Sequence, residues 1–161
     1  MGDAVPTECT VGLGRRGPWM KHIPFIKTVM TPFPYSIGID APISQARSMM
    51  DEHDIRHLPV VEGDKLVSVI SDREVALALD PALAPTAQSL CVRDLCSRKA
   101  YVVELMEPLD RVLLHMARNH LDSAIVVKDG KLAGIFTITD ACRCFGQMLR
   151  SLFPSGSDDA A

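Results

Sequence analysis

The stretch LAGIFTITD at residues 132–140 and the stretch LVSVISDRE at residues 66–74 are two versions of one pattern. Each is an apolar run ending in a hydroxyl side chain, with a carboxylate three positions later. The apolar run predicts a buried strand. Ser71-x-x-Glu74 and Thr137-x-x-Asp140 predict helix starts, because a hydroxyl and a carboxylate at that spacing satisfy each other's free backbone N–H groups.

The likeness extends outward in both directions. Val29–Ala76 aligns with Leu95–Cys142 at a constant offset of 66, without gaps. Tyr35 meets Tyr101, Pro42 meets Pro108 and Met50 meets Met116; Val60-Val61 meets Val126-Val127, and Lys65-Leu66 meets Lys131-Leu132. Self-similarity at one spacing is the mark of a duplicated structural unit. In each copy a short apolar strand, Tyr35–Ile39 or Tyr101–Leu105, precedes an acidic residue and a proline that open a helix. Ile43, Ala46, Met49 and Met50 share one helical face; Leu109, Leu113, Met116 and Ala117 share the other. Two strands follow, Leu58–Val61 and Leu66–Ile70 around Glu62-Gly63-Asp64, or Ala124–Val127 and Leu132–Phe136 around Lys128-Asp129-Gly130. Gly beside Asp between apolar runs predicts hairpins. The order is β-α-β-β-α, twice, in an α/β (α+β) fold. One copy buries too little apolar surface to stand alone, so the two should pack together. The expected organisation is a flexible leader at 1–24, a first unit at 25–80, a linker at 81–91, a second unit at 92–150 and a flexible tail at 151–161.

Composition narrows the function classes. With 17 basic and 20 acidic residues the formal net charge is -3, which lacks the dense positive field of a nucleic-acid binder. No apolar stretch is long enough to span a bilayer and no secretory pattern opens the chain, so the expected compartment is the cytosol. The five cysteines, at 9, 91, 96, 142 and 144, form no ligand pairs; Cys142 and Cys144 diverge by about 200° on a helix. They read as reduced thiols. The histidines at 22, 53, 57, 115 and 120 have no metal spacing, and no nucleophile-base arrangement is readable, so neither a metal site nor catalysis is expected. Gly12–Gly17 spells GxGxxG, but no strand precedes it and Pro18-Trp19 follows, so it belongs to the leader.

With these pieces assembled, the chain resembles the CBS-domain family over Ile26–Leu79 and Val92–Leu149. The resemblance rests on Val29-Met30-Thr31, on Ile55-Arg56-His57-Leu58-Pro59-Val60-Val61, and above all on Ala133-Gly134-Ile135-Phe136-Thr137-Ile138-Thr139-Asp140. The first unit departs from that last pattern, with Ser68 in place of glycine and Glu74 in place of aspartate. The resemblance implies a non-catalytic regulatory module: two units packed by their sheets with pseudo-two-fold symmetry, and two clefts that hold an adenosine nucleotide (AMP, ADP or ATP), as in energy sensing. It also implies a homodimer, with a signal passed to an effector protein or through self-association. The alternatives are a sensor of S-adenosylmethionine or NAD, or an interaction module without ligand. By the family pattern one cleft combines Ile135, Thr137, Thr139 and Asp140 with Thr31, Phe33–Tyr35, Ile55, Arg56 and His57. The other combines Ser71, Arg73 and Glu74 with Ser97, Lys99 and Leu121–Ser123. The chemistry suits the assignment: a carboxylate accepts both ribose hydroxyls, hydroxyls and helix-start N–H groups suit phosphate, and Arg56 and His57 would balance its charge. Gly134 would let backbone and ligand approach closely, and the longer Glu74 would sit differently over a ribose. The same two turns also serve as plain helix caps.

Overall fold

The computed structural model describes residues 22–80, 90–96 and 99–153. The expected linker core, most of the leader and the tail beyond Phe153 lie outside the described residues, as do Cys9, Ser97 and the Gly12–Gly17 motif.

Each apolar run forms the element its pattern predicts. In the first unit β2 (Ile37–Gly38) leads to α1 (Ile43–His53), the hairpin β3 (His57–Glu62) and β4 (Lys65–Ser71), and α2 (Asp72–Leu79). In the second, β5 (Val102–Glu104) leads to α3 (Leu109–Asn119), the hairpin β6 (Ser123–Lys128) and β7 (Lys131–Thr137), and α4 (Ile138–Leu152). Local devices recur at the same offset. Both first helices stop at a left-handed residue, Asp54 at φ 50° and His120 at φ 53°. The next N–H in each, Ile55 or Leu121, donates back to the carbonyl of Met50 or Met116 at 3.0 and 2.9 Å, which satisfies an otherwise open helix end. The two hairpin turns differ: Gly63 alone takes positive φ in one, whereas Asp129 and Gly130 both do in the other.

Three details depart from expectation. The strands β2 and β5 are shorter than their apolar runs, since Tyr35 and Tyr101 turn aside to stack on His53 and His115 with ring centroids 3.8 and 4.1 Å apart. On α3 the inward face is Leu109, Val112 and Met116, while Ala117 is exposed. Finally, an unexpected strand β1 (Thr31–Pro32) leaves the first unit and pairs antiparallel with β7, Thr31 opposite Ile135 and Pro32 opposite Gly134. Two prolines, at 32 and 34, disguise it in the sequence, and a proline is tolerated there because β1 is an edge strand.

The outcome is a four-stranded sheet, β1-β7-β6-β5, and a three-stranded sheet, β2-β3-β4. Within each sheet the hairpin is antiparallel and the first strand joins it in parallel. Alternation along β6 and β7 serves two cores. Ala124, Val126 and Phe136 pack under the helices of the second unit, with Val112 and Leu109. Ile125, Val127 and Ile135 face the other way and meet Leu66 and Val69 of the first unit. A strand buried on both faces reads as a continuous apolar run, as these do. The mixed α/β architecture with two sheet-packed β-α-β-β-α units is thus the observed fold.

Candidate functional site

The two strand-to-helix turns adopt the same hydrogen-bonding geometry. At Thr137 the backbone N–H and the hydroxyl both donate to Asp140 Oδ2, at 2.9 and 2.7 Å, and the Asp140 N–H donates back to Oγ1 at 3.3 Å. At Ser71 the N–H and hydroxyl donate to Glu74 Oε2 at 2.8 and 2.7 Å, with the Glu74 N–H at 3.3 Å from Oγ. The extra methylene of Glu74 is absorbed by its side-chain torsions. Asp140 is buried at 6% exposure, and its second oxygen accepts from Arg143 Nη1 at 2.9 Å. Both carboxylates therefore serve as helix caps in this structure, and among the described residues only Asp140 carries an additional cation.

Gly134 has a different neighbour from the one its spacing suggested. A Cβ at that position would collide with the Met30 sulfur and the Thr31 carbonyl, so the glycine admits the chain's own crossing segment onto β7. Phe33 follows this crossing; its N–H donates to the Ala133 carbonyl at 3.1 Å, and its side chain stands 86% exposed at φ 48°. That strained backbone between Pro32 and Pro34 holds an aromatic ring in solvent at the edge of β7.

Four carboxylates act on His57 from the two units, two of them ion-paired, Asp72 with Arg56 and Asp140 with Arg143. His57 lies opposite Ser71 in the β3–β4 ladder, and Ser123 holds the matching place opposite Thr137. Burial pushes the His57 imidazole below its ordinary value, although the carboxylates of Asp122, Glu74, Asp72 and Asp140 all oppose that shift. His57 thus feels the charge of carboxylates from both units. Arg56, the other expected phosphate partner, is exposed and ion-paired to Asp72. Of the remaining expected residues, Ile135 is in the inter-sheet core, Tyr35 and Ile55 pack against the first unit's core, and Thr31 and Glu74 are half-buried. Thr139, Arg73 and Lys99 are exposed. Leu121 faces the second unit's own helices.

One feature escaped the sequence reading, a hollow of about 380 Å³ on the helical side of the second unit, lined by Leu113, Met116, Ala117, His120, Leu121, Asp122, Ile138 and Ala141. Asp122, expected only as part of Leu121–Ser123 in the second cleft, lines this hollow, and its charge also acts on His57. Comparing the copies position by position would have exposed the hollow, because Asp122 and Ile138 stand where the first unit has Arg56 and Asp72. Among the described residues no His, Cys, Asp or Glu cluster is arranged to hold a metal ion, and no helix is long and apolar enough to cross a membrane. The Cys96 thiol is pushed up, chiefly by burial.

A sequence model of the CBS domain matches residues 26–81 and again 92–146. The chain belongs to the CBS-domain family. It is 27% identical over 139 residues to the L-aspartate semialdehyde sulfurtransferase of Methanocaldococcus jannaschii, an alignment covering 85% of this chain and 26% of that protein. The chain thus spans about a quarter of the length of such curated relatives. Among solved structures it is similar to the CBS domain pair of protein MJ0100 in complex with 5′-methylthioadenosine and S-adenosyl-L-methionine. That match has a TM-score of 0.68 at 26% identity, over 79% of this chain and 99% of the other. An uncharacterized conserved protein from Pyrococcus horikoshii shares the fold with TM-score 0.68 at 20% identity, over 88% of this chain and all of its own.

Proposed function

We propose that this CBS pair is a non-catalytic regulatory module that binds an adenosine-containing ligand beside the start of α4. In this reading Asp140 takes the ribose and the response passes to an effector protein or through self-association, with the cytosol as the expected compartment. The single observation that carries the proposal is the buried, pre-oriented carboxylate of Asp140. Its Oδ2 is fixed by the cap, while Oδ1 is held only by Arg143, a partly exposed arm that a ribose diol can displace. Phe33 and the β1–β7 pairing lie on the same edge, where an adenine ring would find an aromatic neighbour.

Charge narrows the ligand class. AMP, ADP and ATP bring phosphates toward a half-buried histidine in the field of Asp122, Glu74, Asp72 and Asp140; Asp72 and Asp140 are neutralised by Arg56 and Arg143, so the repulsion rests on Asp122 and Glu74. A neutral thioether or a sulfonium adenosine meets no such repulsion. The MJ0100 pair, seen with 5′-methylthioadenosine and S-adenosyl-L-methionine, supports that preference. The second turn, Ser71-Asp72-Arg73-Glu74, is the weaker candidate because among the described residues its capping glutamate has no ion-paired cation like Arg143.

Calorimetry with 5′-methylthioadenosine, S-adenosylmethionine, NAD, AMP, ADP and ATP tests the proposal. Binding of the first two, with affinity falling as phosphates are added, is the expected result. Asp140→Ala should weaken binding by about tenfold or more, the equivalent of one charge-assisted hydrogen bond. No heat with any adenosine compound would overturn the reading, and tightest binding by ATP would overturn the charge argument.

A further inference from the structure

We infer that the hollow of the second unit binds a small organic cation, an amine with a short apolar body, whose ammonium group meets Asp122. This site goes beyond the adenosine reading and does not rest on it. Ile138, on the wall of the hollow, stands about 200° around α4 from the capping Asp140. The two are 48% and 6% exposed, as opposite sides of one helix should be.

The lining sets the size and body of the ligand. A volume of about 380 Å³ falls where small-molecule sites are found, about 300–1,000 Å³. Leu113, Met116 and Ala117 of α3, Leu121 of the turn into β6, and Ile138 and Ala141 of α4 supply alkyl and thioether walls. Such walls offer water few hydrogen bonds, so an apolar body that replaces water there is favoured.

The charge follows from a comparison of the two units. At the offset of 66, Leu113 and Ala117 correspond to Arg47 and Asp51, which form an ion pair at 2.9 Å. Asp122 and Ile138 correspond to Arg56 and Asp72, another ion pair. Of these four positions, three have lost their charge in the second unit and the fourth has reversed it. The first unit is closed by its two ion pairs at the place where the second has its hollow.

Asp122 is exposed and makes no ion pair among the described residues. His57 feels its charge but is held toward the neutral form by burial, so it does not neutralise the carboxylate. A carboxylate in that condition beside apolar walls selects a molecule that is apolar at one end and cationic at the other. The same body carrying an anion is repelled, and a neutral one gains only the apolar part.

Titration of the full chain with hexylammonium, 1-hexanol and hexanoate at about pH 8, followed by amide chemical shifts, tests the assignment. Hexylammonium should bind, with shifts concentrated at Leu113, Ala117, Leu121 and Ala141. Hexanol should bind about three- to fivefold more weakly, the worth of one partly exposed ion pair, and hexanoate more weakly still. Asp122→Asn should lower the affinity for hexylammonium to that for hexanol. Ala117→Leu, a larger side chain at an exposed position on the wall, should weaken both by at least about tenfold. Both variants are checked for native amide dispersion. Equal affinity for amine and alcohol, or an amine response unchanged by Asp122→Asn, would overturn the cation. Shifts scattered over the surface and untouched by Ala117→Leu would overturn the site. Binding seen only after dilution has separated a dimer would mean that a second copy covers the hollow, and would overturn it too. The calorimetric result for adenosine ligands stands or falls by itself.

Discussion

Arg56 and Asp72 close one end of the first unit with an ion pair, and Asp122 and Ile138, 66 positions later, leave the same end of the second unit open. Around this difference the backbones repeat closely: left-handed helix stops at Asp54 and His120, two-residue hairpin turns, and capping boxes at Ser71 and Thr137. Duplication has kept the devices that set chain direction. Side-chain exchange at a few positions has then given the units different faces to solvent. Gly134 and Ser68 form a second such pair. The glycine lies under the crossing strand β1, whereas Ser68 is buried in β4 with no described strand beyond it and hydrogen-bonds Cys96.

The largest expected effect breaks this last pair apart. Gly134→Ala forces a methyl group against Met30 and the Thr31 carbonyl, so β1 must lift or β7 must bend. Urea unfolding should show a loss of about 1–3 kcal/mol, the usual range for overpacking. Ser68→Ala, which removes one hydrogen bond to a thiol and leaves the packing intact, should cost about 1 kcal/mol or less. Equal losses would mean that β1 does not depend on the glycine.

A smaller difference is expected at the caps. Glu74→Ala removes one capping box and should cost about 1 kcal/mol. Asp140→Ala removes the same box and also strands Arg143, so about 1–2 kcal/mol is expected in the same unfolding experiment. In the presence of a bound adenosine ligand the gap should widen, because Asp140 alone is proposed to hold the ribose.

Much of this molecule is legible in its sequence, and the physical reason is locality. Ser71-x-x-Glu74 and Thr137-x-x-Asp140 declare helix starts through bonds made within four residues. The continuous apolar runs of β6 and β7 declare strands, and one offset of 66 declares the pair. What stayed hidden is non-local. Nothing around Thr31-Pro32 says that this dipeptide crosses to the other unit's sheet, so the neighbour of Gly134 was read as a ligand. Nothing around Asp122 says that its carboxylate acts on His57 across the seam. The candidate site was named residue by residue from a family pattern, but its charge balance emerged only when Arg56 was found paired with Asp72 and His57 was found in the field of carboxylates from both units.

The smallest expected effect concerns His57 and its counterpart Ser123, and it depends on sign. Burial holds the folded-state value of His57 below the ordinary 6.5, against the pull of Asp122, Glu74, Asp72 and Asp140. Above that ordinary value the imidazole is neutral in both folded and unfolded chains and contributes nothing to the pH dependence. As pH falls through it, the unfolded chain takes up a proton that the folded chain resists, so stability declines until the folded group also titrates. Ser123 occupies the equivalent place without a titrating group. His57→Ser should therefore reduce the decline in the urea midpoint between about pH 7.5 and pH 5.5, where the other histidines act equally in both proteins. Should the two proteins decline in parallel, burial at the seam would be too slight to disfavour the imidazolium. The carboxylate-rich seam would then accommodate a protonated histidine, which would weaken the case against phosphate-bearing ligands.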